Sequence, residues 1–322
     1  MTYNINRRTF LKNFTTHGII LALAATIDYS YLYPPKQYMC LTEKHFETMG
    51  TIGKIQLFEE CKFKTQKAIS EALKRIFSLE KELSKFNIHS EISKLNRNPF
   101  FYHATRDDTV NVLEKGIEFN RLTNGYFDFG LGNLLSIAGI DPNIPLVGTN
   151  FFNINSNEKL ITIKHNKVKI NRSNSMLDLG GIAKGYIIDE AIKIFKANKI
   201  KHVALEIGGD IKVYGGTPNN KTWHIILNNG ASNDTIKIHT GSISISGGYI
   251  KKSVNNINNI THHIVNPKDL KSKNYYTSII VYGENSIDCD ILATALYNIN
   301  SKDEIKNILK KIPNYEIKYT LI

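Results

Sequence analysis

The chain has 322 residues, enough for one large domain or two modest ones, and its composition is that of an ordinary globular protein. Its formal charge is +12; the region before residue 37 supplies +3 (Arg7, Arg8, Lys12 and Lys36 against Asp28), so the rest stays basic at +9 and favours anionic partners. No basic stripe interleaved with aromatics and no nucleic-acid motif is present, so nucleic acid is not the expected ligand. Cys40, Cys61 and Cys289 make neither a CxxC pair nor a metal-ligand spacing, which argues against a disulfide framework while leaving a single bridge open.

In chain order, Asn6-Arg7-Arg8-Thr9-Phe10-Leu11-Lys12 before an apolar stretch from Gly18 to Ile27 has the form of a twin-arginine export signal. The alternative is an N-terminal membrane anchor, which needs roughly 20 apolar residues and so requires Tyr29 to Tyr33 to extend the stretch. No small-residue cleavage site follows, and Cys40 after Gln37-Tyr38-Met39 is a poor lipidation signal. Pro34-Pro35 marks a linker, which divides the chain into a signal segment and linker over 1–38 and one compact unit over 39–322.

A strand is predicted over Thr51–Glu59, then an amphipathic helix over Thr65–Lys85 from Ile69, Leu73, Ile76 and Leu83. A second helix is predicted over Asp107–Thr123, closing at Asn124-Gly125. Phe151–Ile154, Leu160–Ile163 and Val168–Ile170 read as hairpin strands. The helix Ala183–Lys199 follows, with Ile187, Ile188, Ala191, Ile192 and Phe195 on one face. Strands then dominate: Val203–Ile207, Ile211–Tyr214, Trp223–Leu227, Thr235–His239, Ser242–Ser246 and Ser278–Tyr282. Helices Asp288–Asn298 and Asp303–Lys311 close the chain. Because short turns rather than crossover helices join most strands, the expected class is α+β, with mixed or antiparallel sheets packed with helices.

Three segments could carry chemistry. Leu177-Asp178-Leu179-Gly180-Gly181-Ile182-Ala183-Lys184-Gly185 reads as a short strand, two glycines and a helix start bearing a lysine, where free amides attract anions; it lacks the spacing of a nucleotide loop and also fits a plain tight turn. Asp290 and Thr294 sit four apart, so on a helix they share a face and offer two oxygens of the kind magnesium prefers. An aspartate near a helix start can equally be a cap or dipole partner. His262-His263 precede Ile264-Val265-Asn266-Pro267, and a histidine is the side chain best suited to take a proton near neutral pH.

The order of these pieces is what resembles a known family, the ApbE flavin transferases. Met49-Gly50-Thr51 is similar to the family's opening, and Leu83-Ser84-Lys85-Phe86-Asn87 followed by Ser90-Glu91-Ile92-Ser93-Lys94-Leu95-Asn96 to its next block. Gly125-Tyr126-Phe127-Asp128, Asp178 to Gly185 with Asp189, Gly208-Gly209-Asp210, Ser246-Gly247-Gly248-Tyr249, His263-Ile264-Val265-Asn266-Pro267 and Asp290 to Leu296 follow in register. The resemblance implies a T-fold-like single catalytic unit that cleaves FAD with magnesium, passes FMN to a Thr or Ser hydroxyl of an exported or membrane redox protein, and releases AMP. It implies FAD against Met49, Phe86, Asn87, Asp128, Asp178, Lys184, His263 and Ile264. Magnesium would lie on the Gly181 carbonyl, Asp290 and Thr294, with His263 as base. The partner would be a flavin-acceptor subunit of a membrane or periplasmic redox complex, and the location the periplasm or the outer face of the inner membrane, in agreement with the export signal.

Two stretches depart from the family pattern. Phe129-Gly130-Leu131-Gly132-Asn133 lacks the usual threonine after Asp128, and Asn266-Pro267-Lys268-Asp269-Leu270 lacks a carboxylate and a Thr-Gly turn. Rival readings are a hydrolase that splits FAD to FMN and AMP with water, and a flavin-binding protein without turnover.

Overall fold

The structure, a computed structural model, describes residues 25–27, 39–141, 144–148, 154, 158–228, 233–248, 253 and 259–321. The export motif, the strand residues Phe151–Asn153 and Tyr249 lie outside them.

Seven strands form the central antiparallel sheet. They are β2 (Cys40–Thr48), β3 (Thr51–Glu59), β7 (His202–Ile207), β8 (Asp210–Tyr214), β11 (Gly241–Ser246), β14 (Tyr276–Gly283) and β15 (Glu316–Leu321), in the order β15-β14-β11-β8-β7-β3-β2. Smaller antiparallel sheets join β1 (Ala25–Ile27), β9 (Trp223–Asn228) and β10 (Asn233–Ile238); β4 (His103–Ala104), β6 (Lys167–Ile170) and β5 (Ile161–Lys164); and β12 (Val265–Asn266) with β13 (Lys271–Ser272). The expected α+β class with antiparallel sheets is therefore the fold observed.

The period-two alternation of the strands divides the central sheet into two cores. Ile55, Leu57, Leu205, Ile207, Ile279 and Val281 face the helices, while Phe58, Ala204, Ile211, Val213, Ile243 and Ile280 face Trp223, Ile225 and Leu227 of β9. In β11 this places Ile243 on the β9 side and Ser242 and Ser246 on the helix side, where they meet Ser286 and Thr294. Three residues of the predicted leader, Ala25–Ile27, add a strand to β9 with Ala25 opposite Leu227.

On the helix side, α1 (Lys62–Leu83) buries Ala68, Ile69, Ala72, Ile76, Leu79 and Leu83, and packs on α5 (Ala183–Ala197). The short α2 (Glu91–Arg97) follows α1, and α3 (Asp107–Leu122) and α4 (Gly132–Ile137) precede the β5–β6 hairpin. The helix α6 (Ser286–Tyr297) lies between α5 and strands β11 and β14, and eleven of its twelve residues are buried, with Thr294 alone partly exposed. Such all-round burial marks a central helix. The last helix, α7 (Lys302–Lys310), is amphipathic and buries only Ile305 and Ile308.

Several predicted boundaries move for identifiable reasons. The first long helix stops at Leu83 because Ser84 is extended (φ −76°, ψ 121°), which turns Lys85 inward. Ala183–Lys199 ends at Ala197, with Lys199 in the left-handed region at φ 56°. The short strand expected at Leu177–Leu179 is not formed. Only Met176 bridges, to Leu131, because Asn96 takes both backbone groups of Leu177: its Nδ2 donates to Leu177 O (3.0 Å) and its Oδ1 accepts from Leu177 N (2.7 Å). Cys289 is buried as expected, and burial pushes its thiol up.

Leu79 is fully buried on the α1 face that meets the core. Leu79→Ala is expected to lower unfolding free energy by about 2–5 kcal/mol, read as a drop in the denaturant midpoint at unchanged slope.

Candidate active site

The site is built where α5 and α6 begin. No side chain caps α5 from its own N-cap residue, Ile182, and its first turn carries no acid. The cap comes from α6: Asp290 Oδ2 accepts from Gly185 N at 3.1 Å. In return Asp189 of α5 accepts from Ser286 N (3.1 Å) and Ile287 N (3.0 Å) at the start of α6, and its Oδ1 also takes Lys212 Nζ at 2.5 Å. Each helix thus supplies the acid that satisfies free amides of the other. Gly185 permits the approach, since a methyl group there would stand 2.4 Å from Ser286 O and 2.6 Å from Ile287 Cα. Asp290 is the fifth residue of α6 and caps its neighbour's end, not its own.

Lys184 lies between two buried acids, its Nζ 3.1 Å from Asp290 Oδ1 and 2.8 Å from Asp210 Oδ2. The ammonium is the ionic partner of the buried Asp210 Oδ2. Burial opposes the charge on Lys184, but Asp210 and Asp290 outweigh it and hold the ammonium above its usual range. Burial pushes the Asp290 carboxyl up to about 7; Asp210 adds to the rise, while Lys184 and the Gly185 amide oppose it.

Thr294 stands one turn beyond Asp290, its Oγ1 3.5 Å from Ser246 Oγ. A methyl group on Gly181 would lie 2.8 Å from Thr294 Oγ1, so Gly181 and Thr294 are in direct apposition. The structure therefore gathers Gly181, Lys184, Asp290 and Thr294 at one place. Asp178 belongs to the same turn: its Oδ1 accepts from Gly180 N at 2.8 Å and its Oδ2 from Lys85 Nζ at 2.7 Å. Phe86, exposed, and Asn87, partly exposed, follow Lys85 directly. Asn87 Nδ2 donates to Lys81 O at 2.8 Å, and its Oδ1 accepts from His89 N at 3.0 Å.

The histidine pair packs against the ends of β11 and α6. Gly248 N donates to Tyr297 Oη at 3.0 Å, and the Tyr297 ring meets His262 edge-on at 5.7 Å between centroids. His262 is buried, bonded through Nε2 to Lys273 O (2.9 Å) and accepting at Nδ1 from Ile264 N (3.2 Å), which fixes a neutral ring. His263 is partly exposed, its ring 6.4 Å from that of His262, and Ile264 is buried.

Two further predicted residues are held by other groups. The Asp128 side chain is buried and bound by Arg172 through both oxygens (2.6 and 2.8 Å), with Gly130 N at 2.8 Å, so its carboxylate holds its own loop. That loop still touches the site's framework, because Phe129 O accepts from Asp178 N at 2.8 Å. Met49, with φ 51° at the β2–β3 turn, donates its amide to Glu80 Oε1 at 2.7 Å.

The departures have structural uses. Asn133 is buried and ties Val147 O, Val147 N and Asn174 O at 2.7–2.9 Å. Asn266 donates to Asn298 O (3.1 Å) while accepting from Lys268 N (2.8 Å), a pairing with a carbonyl that a carboxylate could not make. Residues that sequence reasoning left out of the site are Asp210, Ser246, Lys85 and Asp141. Asp210, Ser246 and Lys85 stand in motif blocks that were recognised; Asp141 carried no signal. Among the described residues no three His, Cys, Asp or Glu side chains gather as a metal centre. An open cavity of about 410 Å³ beside α5 is lined by Lys115, Lys193, Lys196 and Lys212, each with an acidic or aromatic partner, and by none of the predicted residues.

This α+β arrangement is that of solved flavin transferases. The chain superposes on the ApbE protein of Thermotoga maritima with a TM-score of 0.75 at 22% identity, covering 88% of this chain and 94% of that one. It superposes on the flavin transferase ApbE of Vibrio cholerae with a TM-score of 0.70 at 21% identity, covering 87% and 98%. The ApbE family matches residues 49–318, and the chain belongs to that family. Among curated relatives, the FAD:protein FMN transferase of Haemophilus influenzae is 23% identical over 91% of this chain and 89% of its own length. That of Chlamydia muridarum is 26% identical over 80% and 84%.

Burial lowers the pKa of His262 below its ordinary 6.5. The folded state therefore resists a proton that the unfolded chain accepts, and stability is lost as pH falls below about 6.5 toward the folded-state value. The melting temperature of the wild type is expected to fall more steeply between pH 7 and pH 5 than that of His262→Gln.

Proposed function

We propose that this chain is a magnesium-dependent FAD:protein FMN transferase. The observation that carries the reading is the apposition of Gly181, Asp290 and Thr294 beside Lys184 at the amide-rich start of α5. A carboxylate, a hydroxyl and a nearby backbone carbonyl are hard oxygen donors, few in number, and suit magnesium that keeps water and substrate phosphate among its ligands. Asp210, buried and sharing Lys184 with Asp290, adds negative charge that favours a cation there. The relatives' shared name, FAD:protein FMN transferase, agrees with this chemistry.

In this reading FAD lies with its pyrophosphate against the α5 start, where Lys184 and the positive end of the helix offset its charge, and with its flavin toward Phe86 and Asn87. Bound magnesium would supply Lewis-acid neutralisation of the pyrophosphate oxygens. A Thr or Ser hydroxyl of the acceptor attacks the phosphorus of the FMN half. The new P–O bond forms as the bond to the AMP oxygen breaks, and the hydroxyl proton passes to His263. His262, kept neutral and pinned by Lys273 and Ile264, orients the backbone that carries His263. The twin-arginine form of Asn6–Lys12 supports export, and hence a periplasmic or membrane-bound redox subunit as acceptor. Among the described residues no helix is long and apolar enough to cross a membrane.

The test is incubation with FAD, magnesium and a flavin-acceptor subunit, reading AMP and in-gel flavin fluorescence. Magnesium-dependent fluorescence on the acceptor is expected, reduced about 10²–10⁴-fold by His263→Ala. AMP without labelled acceptor would replace transfer by hydrolysis, and bound FAD with neither product would sink both.

A further inference from the structure

The mechanism above leaves unused a charged cluster lying beneath the site. The Lys85 side chain is 4% exposed, and its Nζ contacts Asp141 Oδ2 at 2.6 Å and Asp178 Oδ2 at 2.7 Å. Burial disfavours its charge, but Asp178 and Asp141 together raise it above its ordinary value. The backbone of Lys85 is itself held, since Ser93 Oγ donates to its carbonyl at 2.9 Å.

Asp178 divides its two oxygens. One takes Lys85, and the other takes Gly180 N at 2.8 Å, in the residue before Gly181. One position earlier, Asn96 clamps both backbone groups of Leu177. The segment that leads into α5 forms no strand from Leu177 to Leu179, so these side chains hold it beside a single long-range backbone bond, from Asp178 N to Phe129 O. Lys85 precedes the short α2 and Asn96 lies in its last turn, and both reach across to consecutive residues of this segment.

We propose that Lys85 is a positioning residue: by fixing the Asp178 carboxylate it sets the Gly180–Gly181 turn, and with it the oxygen that Gly181 offers toward Thr294 and Asp290. Replacing the ammonium by an apolar group would take the shared cation away from two carboxylates, and removing one partner of a buried ion pair is costly. Asp178 would turn toward water and release the Gly180 amide. Outer partners that orient metal-binding groups typically change metal affinity by about 10–100-fold when removed. The metal half of this inference rests on the magnesium reading above; the positioning half does not.

The experiment uses the full chain as wild type, Lys85→Met, Asp178→Asn and Asp141→Asn, with two readouts. Hydrogen–deuterium exchange of residues 177–184 reads the turn, and the electron-spin signal of free Mn²⁺ reads metal affinity. Lys85→Met and Asp178→Asn are each expected to speed exchange in that segment and to weaken Mn²⁺ binding about 10–100-fold. Asp141→Asn leaves the Lys85–Asp178 pair in place and is expected to keep Mn²⁺ affinity within about twofold, whatever its melting temperature. Unchanged exchange at 177–184 in Lys85→Met would overturn the proposal, and so would faster exchange with wild-type Mn²⁺ affinity. Absence of Mn²⁺ binding in the wild type, with faster exchange in Lys85→Met, would keep the positioning role and remove the magnesium reading.

Discussion

The first turns of α5 and α6 lie against each other closely enough that Gly185 has room for no side chain, and most of the site follows from that contact. With the two helix starts adjacent, Asp290 reaches the amide of Gly185 and Asp189 reaches those of Ser286 and Ile287. The exchange satisfies amides that each helix leaves free and places acids at the positive ends of two macrodipoles. It also brings Asp290 within reach of Lys184, and Thr294, a turn later, within reach of Gly181. A substitution at Gly185 would push the helices apart and scatter four functional groups together.

The electrostatics of the cluster are unbalanced in a useful direction. One ammonium, Lys184, is shared by two buried carboxylates, Asp210 and Asp290, so the acids would match a divalent cation once the ammonium leaves them. In the proposed complex Lys184 would turn toward a phosphate, a group that a basic chain is suited to hold. The same residue thus neutralises the acids in the bare protein and the substrate in the proposed complex.

Most of the framework was legible because its elements have clear periods. The α1 and α5 faces repeat every three or four residues, and Ser242-Ile243-Ser244-Ile245-Ser246 alternates as a strand with one side on α6 should. The i, i+4 spacing of Asp290 and Thr294 rightly placed both on one helix face, and the glycines before Ala183 rightly marked a helix start. Other elements had no such period. β2 is largely exposed, with Glu43, Lys44, His45 and Glu47 along it, and reads as polar chain; α2 and α4 are only seven and six residues long. Lys85 is the sharpest omission. A lysine closing an amphipathic helix reads as a solvated charge near the helix end, and only the extended Ser84 and two acids distant in sequence draw it inside. Pairings across 56 and 93 residues leave no local trace.

The position of β2 has a bearing on how copies of this protein meet. An antiparallel sheet that does not close into a barrel ends in border strands whose outward amides and carbonyls can recruit another chain. Here one border is the nine-residue β2, long enough to be a template, but its exposed positions include Glu43, Lys44 and Glu47. The other, β15, carries Glu316 and Lys318. A second copy aligning strand to strand would have to strip water from those charges before gaining any ladder, so the charged borders act as a brake on lateral growth into aggregates.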